Sequence, residues 1–138
     1  MIGDDWKFLH IGMIVRDTDK TCAFYETMGF RVIRTFETPS KSPDNPRTSK
    51  IALIQKDSAV IEIIQPLEGT WINKDFLESV GEGINHICFE VGDVKKETER
   101  MIERGFPVIY ALPRGAYFDT RKVGNVVIEL IQRTEAAH

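Results

Sequence analysis

The sequence of 138 residues predicts an α+β fold made of two tandem βαβββ modules. Three observations predict it. Residues 60–65 read VIEIIQ and residues 127–132 read VIELIQ, an apolar strand phrase written twice with a glutamate, Glu62 and Glu129, at the same place. Sliding the chain by 76 residues sets His10 on His86, Ile11 on Ile87, Val15 on Val91, Asp17 on Asp93 and Lys20 on Lys96, then Gly29 on Gly105, Phe30 on Phe106, Val32 on Val108 and Ile33 on Ile109. Each copy also passes from a strand-like run to a helix-like stretch and then to short apolar runs separated by turn residues.

The elements follow in order. Residues 8–15, FLHIGMIV, form a strand by length and apolar content. Asp17 or Thr18 offers an N-cap for a helix through Met28, which Gly29 ends. Strands are expected near 30–37, 50–55 and 59–65, with the Pro-rich stretch 38–49 as a loop that lengthens the first copy. Pro66 to Gly69 reads as a turn and residues 71–79 as a short helix. In the second copy 84–91 is the strand and Asp93 the cap. Residues 94–104 form a helix with Val94, Thr98, Met101 and Ile102 inward. Strands near 107–111, 115–119 and 125–132 complete it. Tyr25, Phe24 and Phe30 are expected in the core. The predicted organisation is one domain, 1–138, with module one at 6–66, a linker helix at 67–83 and module two at 84–132.

Composition bounds the function. Hydrophobic residues make up 42% and charged residues 28%, ordinary for a globular protein. A net charge of -3 gives no electrostatic reason to expect nucleic acid or an anionic membrane as partner. No apolar run has the length of a membrane span, and the N-terminus, MIGDDWKF, lacks the pattern of a signal peptide. Two cysteines, Cys22 and Cys88, are too few for a disulfide framework, so reduced structural thiols and a cytoplasmic location are expected.

Side chains alternate along a strand, so His10 shares a face with Gly12 and Ile14, and His86 shares one with Cys88 and Glu90. Glu62 and Glu129 likewise face away from their apolar neighbours. With helices covering one side, all four polar side chains point to the other, and the modules form a half-open barrel around a metal cleft. Two imidazoles and two carboxylates suit a divalent Zn, Ni, Co, Mn or Fe ion. A lone His or Glu is more often structural; here each recurs in register, which favours ligation.

The doubled module with His, Glu, His and Glu at these places resembles the vicinal-oxygen-chelate superfamily, which includes glyoxalase I, methylmalonyl-CoA epimerase, extradiol dioxygenases and bleomycin-resistance proteins. It is most similar to the epimerases: His10-Ile11-Gly12 leading to Phe24-Tyr25 and Gly29, EIIQPL at 62–67 and FLESVGEGINHICFE at 76–90 carry the likeness. The resemblance implies His10, Glu62, His86 and Glu129 as metal ligands. It also implies a metal-dependent isomerase or epimerase that removes a proton beside a carbonyl. The alternatives are a glyoxalase I-like lactoylglutathione lyase and a small-molecule-binding resistance-type protein. The loop position that holds the epimerase base falls on Asn45 and Pro46, and 117–125, YFDTRKVGN, departs from the family's His-Pro-Lys-like segment. Glu129 is therefore expected as ligand and proton carrier, with Asp44 as the second candidate. The expected partner is a small, anionic substrate, met by Lys41, Arg47, Lys50 or Arg114, and the expected assembly is a homodimer.

Overall fold

The computed structural model describes residues 2–38 and 47–134. The elements are β1 (Lys7–Ile14), α1 (Thr18–Thr27), β2 (Arg31–Thr38), β3 (Thr48–Lys56), β4 (Ala59–Glu68), α2 (Ile72–Ser79), β5 (Gly83–Val91), α3 (Val94–Glu103), β6 (Val108–Leu112), β7 (Gly115–Phe118) and β8 (Val127–Gln132). The α+β class and the βαβββ order, twice, are as the sequence predicts. Contacts divide the chain into two compact units, residues 10–85 and residues 1–9 with 86–138.

In the first unit the strands lie in the order β2-β3-β4-β1, with β1 and β4 parallel and the other pairs antiparallel. One face of this sheet carries Ala52, Ile54 and Ile63, which pack with Val15 and Cys22 and with the half-buried Met13, Tyr25, Phe30 and Val32. Residues from α1 supply part of that cluster, so the helix covers this face. The other face holds Ile14, Ile51 and Ile64, sealed at one end by Phe36 and by Phe76 and Leu77 of α2. Asn85 donates a 2.8 Å hydrogen bond to the buried Asn73 of α2, which ties that helix to the start of β5.

In the second unit the order is β5-β8-β7-β6, with β5 and β8 parallel. Val91, Met101, Ala116, Phe118 and Leu130 form its core beneath α3, joined by Ile2, Trp6, Phe89 and Phe106. The Trp6 and Phe89 ring centroids are 5.4 Å apart, so the opening residues pack with this unit.

Both module helices begin and end alike. The carboxylates of Asp17 and Asp93 accept from the backbone N–H groups of Lys20 and Lys96, the N-cap arrangement. At the other end Gly29 and Gly105 adopt φ of 91° and 89°. The N–H of Phe30 reaches the carbonyl of Tyr25, and that of Phe106 the carbonyl of Met101, the double closure that a left-handed glycine permits. Phe30 then meets Tyr25 edge to face at 5.3 Å between ring centroids, so the repeated Gly-Phe pair both stops the helix and pins its last turn to the core.

Several expectations are corrected. Pro66 to Gly69 is not a turn, because β4 runs through Pro66 to Glu68 along β3. A register shift at Thr48 and Ser49 accommodates the proline there. Ile102 is exposed and Glu97 buried, because the inward stripe of α3 runs through Val94, Glu97, Thr98 and Met101. Phe24 is also exposed. The last strand starts at Val127 rather than near 125, after Gly124 and Asn125 turn with positive φ. The extra length of the first copy is a net difference: β2 and β3 exceed β6 and β7, whereas only Asp57 and Ser58 join β3 to β4.

Candidate metal-binding half-sites

Within the first unit, β1 and β4 run side by side with Gly12 opposite Glu62. His10 lies two residues before Gly12, so imidazole and carboxylate share a face on adjacent strands. His10 Nε2 stands 3.6 Å from Glu62 Oε1, and both side chains are mostly buried. The second unit repeats this with Cys88 opposite Glu129. There His86 Nε2 stands 3.5 Å from Glu129 Oε1, with side-chain exposures of 2% and 10%.

These separations fit ligands better than ion pairs. A charge-assisted hydrogen bond between nitrogen and carboxylate oxygen closes to about 2.7–2.9 Å. Two donor atoms that each sit about 2.1 Å from one tetrahedral cation stand about 3.4 Å apart. Each module thus presents one nitrogen and one oxygen donor at ligand spacing, from strands buried enough to hold them in place.

The glutamine that ends each repeated phrase fixes the helix above it. Gln65 Oε1 accepts from the N–H of Thr18 at 2.9 Å, and Gln132 Oε1 accepts from the N–H of Val94 at 2.9 Å. At the same end of each module the parallel strand pair is closed by Val15 N–H to the Ile64 carbonyl and by Arg133 N–H to the Val91 carbonyl, 2.8 and 2.7 Å. The phrase VIExIQ therefore encodes the glutamate that faces the histidine and, three residues on, the clamp that positions the module's helix.

The neighbours of the two half-sites differ. The row across module one reads Arg34, Leu53, Glu62 and Gly12; that across module two reads Tyr110, Tyr117, Glu129 and Cys88. The Tyr117 ring lies 5.7 Å from that of His86 and 6.4 Å from that of Tyr110. Both tyrosines and Arg34 escaped the sequence reading, because a residue's row depends on strand register, which the repeat does not encode.

The other candidates are placed as follows. Asp44 and Lys41 lie outside the described residues. Arg47 stacks over Trp71 at 5.2 Å. The Lys50 ammonium lies 2.8 Å from Asp19, whose hydrogen bond holds its proton more tightly than usual. Arg114 lines a shallow pocket with Gln132, Arg133 and Thr134. Cys22 and Cys88 are buried thiols outside any disulfide, and burial pushes the Cys22 thiol up, which fits a structural role. In the departing segment, Arg121 grips Asp119 through both carboxylate oxygens at 2.9 Å and pulls its carboxyl down to about 2. No helix among the described residues is long and apolar enough to cross a membrane.

Residues 9–124 match the sequence profile of the Glyoxalase/Bleomycin resistance protein/Dioxygenase superfamily. The chain is 32% identical over 111 residues to an ethylmalonyl-CoA/methylmalonyl-CoA epimerase of Cereibacter sphaeroides, covering 79% of this chain and 76% of that protein. It is 25% identical over 130 residues to the uncharacterized protein YqjC of Bacillus subtilis (strain 168), covering 89% of each. A Streptomyces coelicolor methylmalonyl-CoA epimerase variant, solved in complex with 2-nitronate-propionyl-CoA, shares the fold. Its TM-score is 0.71 at 24% identity, over 93% of this chain and 97% of that one.

Proposed function

The chain belongs to the Glyoxalase/Bleomycin resistance/Dioxygenase superfamily, and from that premise we propose that it is a divalent-metal-dependent isomerase of the methylmalonyl-CoA epimerase type. Its four ligands would be His10, Glu62, His86 and Glu129. The observation that carries this reading is the repetition of one His–Glu pair at ligand spacing in both modules. When bound, the cation supplies Lewis-acid stabilisation of negative charge developing on a carbonyl oxygen. Zn, Ni, Co, Mn and Fe all suit this donor set.

The chain's own residues then have separate tasks. His10 and His86, each on the first strand of its module, hold the cation as neutral imidazoles. Glu129 takes the proton from the carbon beside the carbonyl, and protonation of the opposite face from a second donor completes the inversion that an epimerase performs. Asp44 is the alternative base. Tyr117, beside Glu129 in register, packs against His86 and keeps water from that side of the carboxylate. The relatives' CoA thioesters make an anionic acyl thioester the favoured substrate class. The outer edge of β2 offers a strand for pairing into a homodimer, and we place the protein in the cytoplasm.

Two measurements test the reading. Elemental analysis and calorimetry should find close to one divalent ion per chain; no uptake of Zn, Ni, Co or Mn would remove the site. Incubation with methylmalonyl-CoA in deuterated water should wash label into the α-carbon. Turnover of a glutathione hemithioacetal without that exchange would favour the lyase reading, for which the same four donors also suffice.

A further inference from the structure

The second strand of each module contains the same irregularity. In β2, Val32 pairs with Ile54 but Arg34 pairs with Leu53, so Ile33 is an extra residue with no partner in β3. In β6, Val108 pairs with Phe118 and Tyr110 with Tyr117, which leaves Ile109 extra. A bulge of this kind reverses the alternation of the residues before it. Arg34 and Phe36 lie on the face of Leu53 and Ile51; without the bulge Arg31 would point to the opposite face. With it, Arg31 pairs with Gln55 and stands on the same face as Arg34.

That face is the one bearing His10 and Glu62. Arg34, Leu53 and Glu62 form one row, with Arg34 and Glu62 two strand spacings, about 10 Å, apart. Arg31, Gln55 and Val60 form the next, toward His10. Both arginines are exposed, and neither makes an ion pair among the described residues. The Arg34 guanidinium is stacked 4.3 Å over the Phe36 ring, which orders its planar fork while leaving its edge N–H groups open. Module two has Pro107 and Tyr110 at the matching positions, so the charge belongs to one side only.

We infer that Arg31 and Arg34 bind an anionic group of the substrate, a carboxylate or a phosphate remote from the reacting carbon. The inference rests on the reading above for the identity of the face, and it assigns the substrate's charged end to module one. Lys50 is already engaged by Asp19 and Arg47 lies over Trp71, so neither does this work.

The test is calorimetric titration at low salt of protein without added metal, using glutarate as the carboxylate probe and phenyl phosphate as the phosphate probe. The wild-type chain should bind at least one of them, and the one bound identifies the source of the anion. Arg34→Gln should weaken that binding at least about tenfold, Arg31→Gln less, and Arg34→Lys should fall between, because lysine keeps the charge but not the fork. Arg104→Gln, off this face, serves as the control and should bind as wild type. Binding of neither probe, or equal binding by Arg34→Gln, Arg31→Gln and the wild type, overturns the inference. Metal uptake by the same proteins is read separately: its absence would remove the metal reading and leave the anion result intact.

Discussion

The two modules share one plan, yet the faces that bear their His–Glu pairs have become different surfaces. Both hold a histidine and a glutamate at 3.5–3.6 Å, an Asp-capped helix, a Gly-Phe stop and a glutamine clamp. Beside Glu62 stand Leu53 and an exposed, stacked arginine; beside Glu129 stand two tyrosines, one of them almost wholly buried. Where the repeat is retained, the residues fix the backbone or form the His–Glu pairs. The rows beside Glu62 and Glu129 are where it has diverged. Under the proposed function, the open, cationic module would serve recognition and the closed, aromatic module chemistry.

The largest expected effect breaks that division at its glutamates. Glu129→Gln should lower solvent-deuterium exchange into methylmalonyl-CoA by about 10²–10⁴-fold, the usual contribution of a general base. Glu62→Gln should retain more of it, and Asp44→Asn should leave it nearly intact. Exchange that dies with Asp44→Asn and survives in Glu129→Gln would return the base to the loop.

Next come the histidines. Either His→Ala change should weaken divalent-metal binding by more than about a hundredfold, beyond the loss typical of an outer-shell partner. His86→Ala should be the worse of the two, since its side chain is 2% exposed against 14% for His10. Equal, undiminished uptake by both variants would contradict ligation.

Stability should show the same asymmetry. Tyr117→Ala removes a buried ring and should cost about 3 kcal/mol in urea unfolding, whereas the half-buried Leu53→Ala should cost about 2. A larger loss at Leu53 would mean that module one is the tighter side. The clamps come next. Gln65→Leu and Gln132→Leu each strand a helix N–H, at about 1–2 kcal/mol. Gln132 should lose more, because its amide also donates to the Gly92 carbonyl.

The smallest effect lies where module two has a long connection and module one a tight hairpin. Asp119 has its folded carboxyl drawn down to about 2, below its value in the unfolded chain. Its contribution is therefore present above about pH 4 and lost as pH falls through about 2. Over a third of its side chain is exposed, so the effect should stay within about 1 kcal/mol. Asp119→Asn should flatten the acid limb of the stability curve by that amount; an unchanged slope would show that solvent screens the pair completely.

The architecture and the two His–Glu pairs were legible in the residues alone, because both were written twice. A glycine after a helix, an aspartate before it and a glutamate in an apolar strand each have a local physical reason, and repetition separated that reason from chance. Helix ends, the βαβββ order along the chain and the facing of His10, Glu62, His86 and Glu129 could all be read from period and punctuation. Which residues stand beside the His–Glu pairs was set by long-range strand pairing. Arg31 reaches its face through a one-residue bulge, and Tyr117 meets Glu129 through hairpin register. Both depend on hydrogen bonds to a strand distant in sequence, and neither bulge nor register leaves a trace in local periodicity.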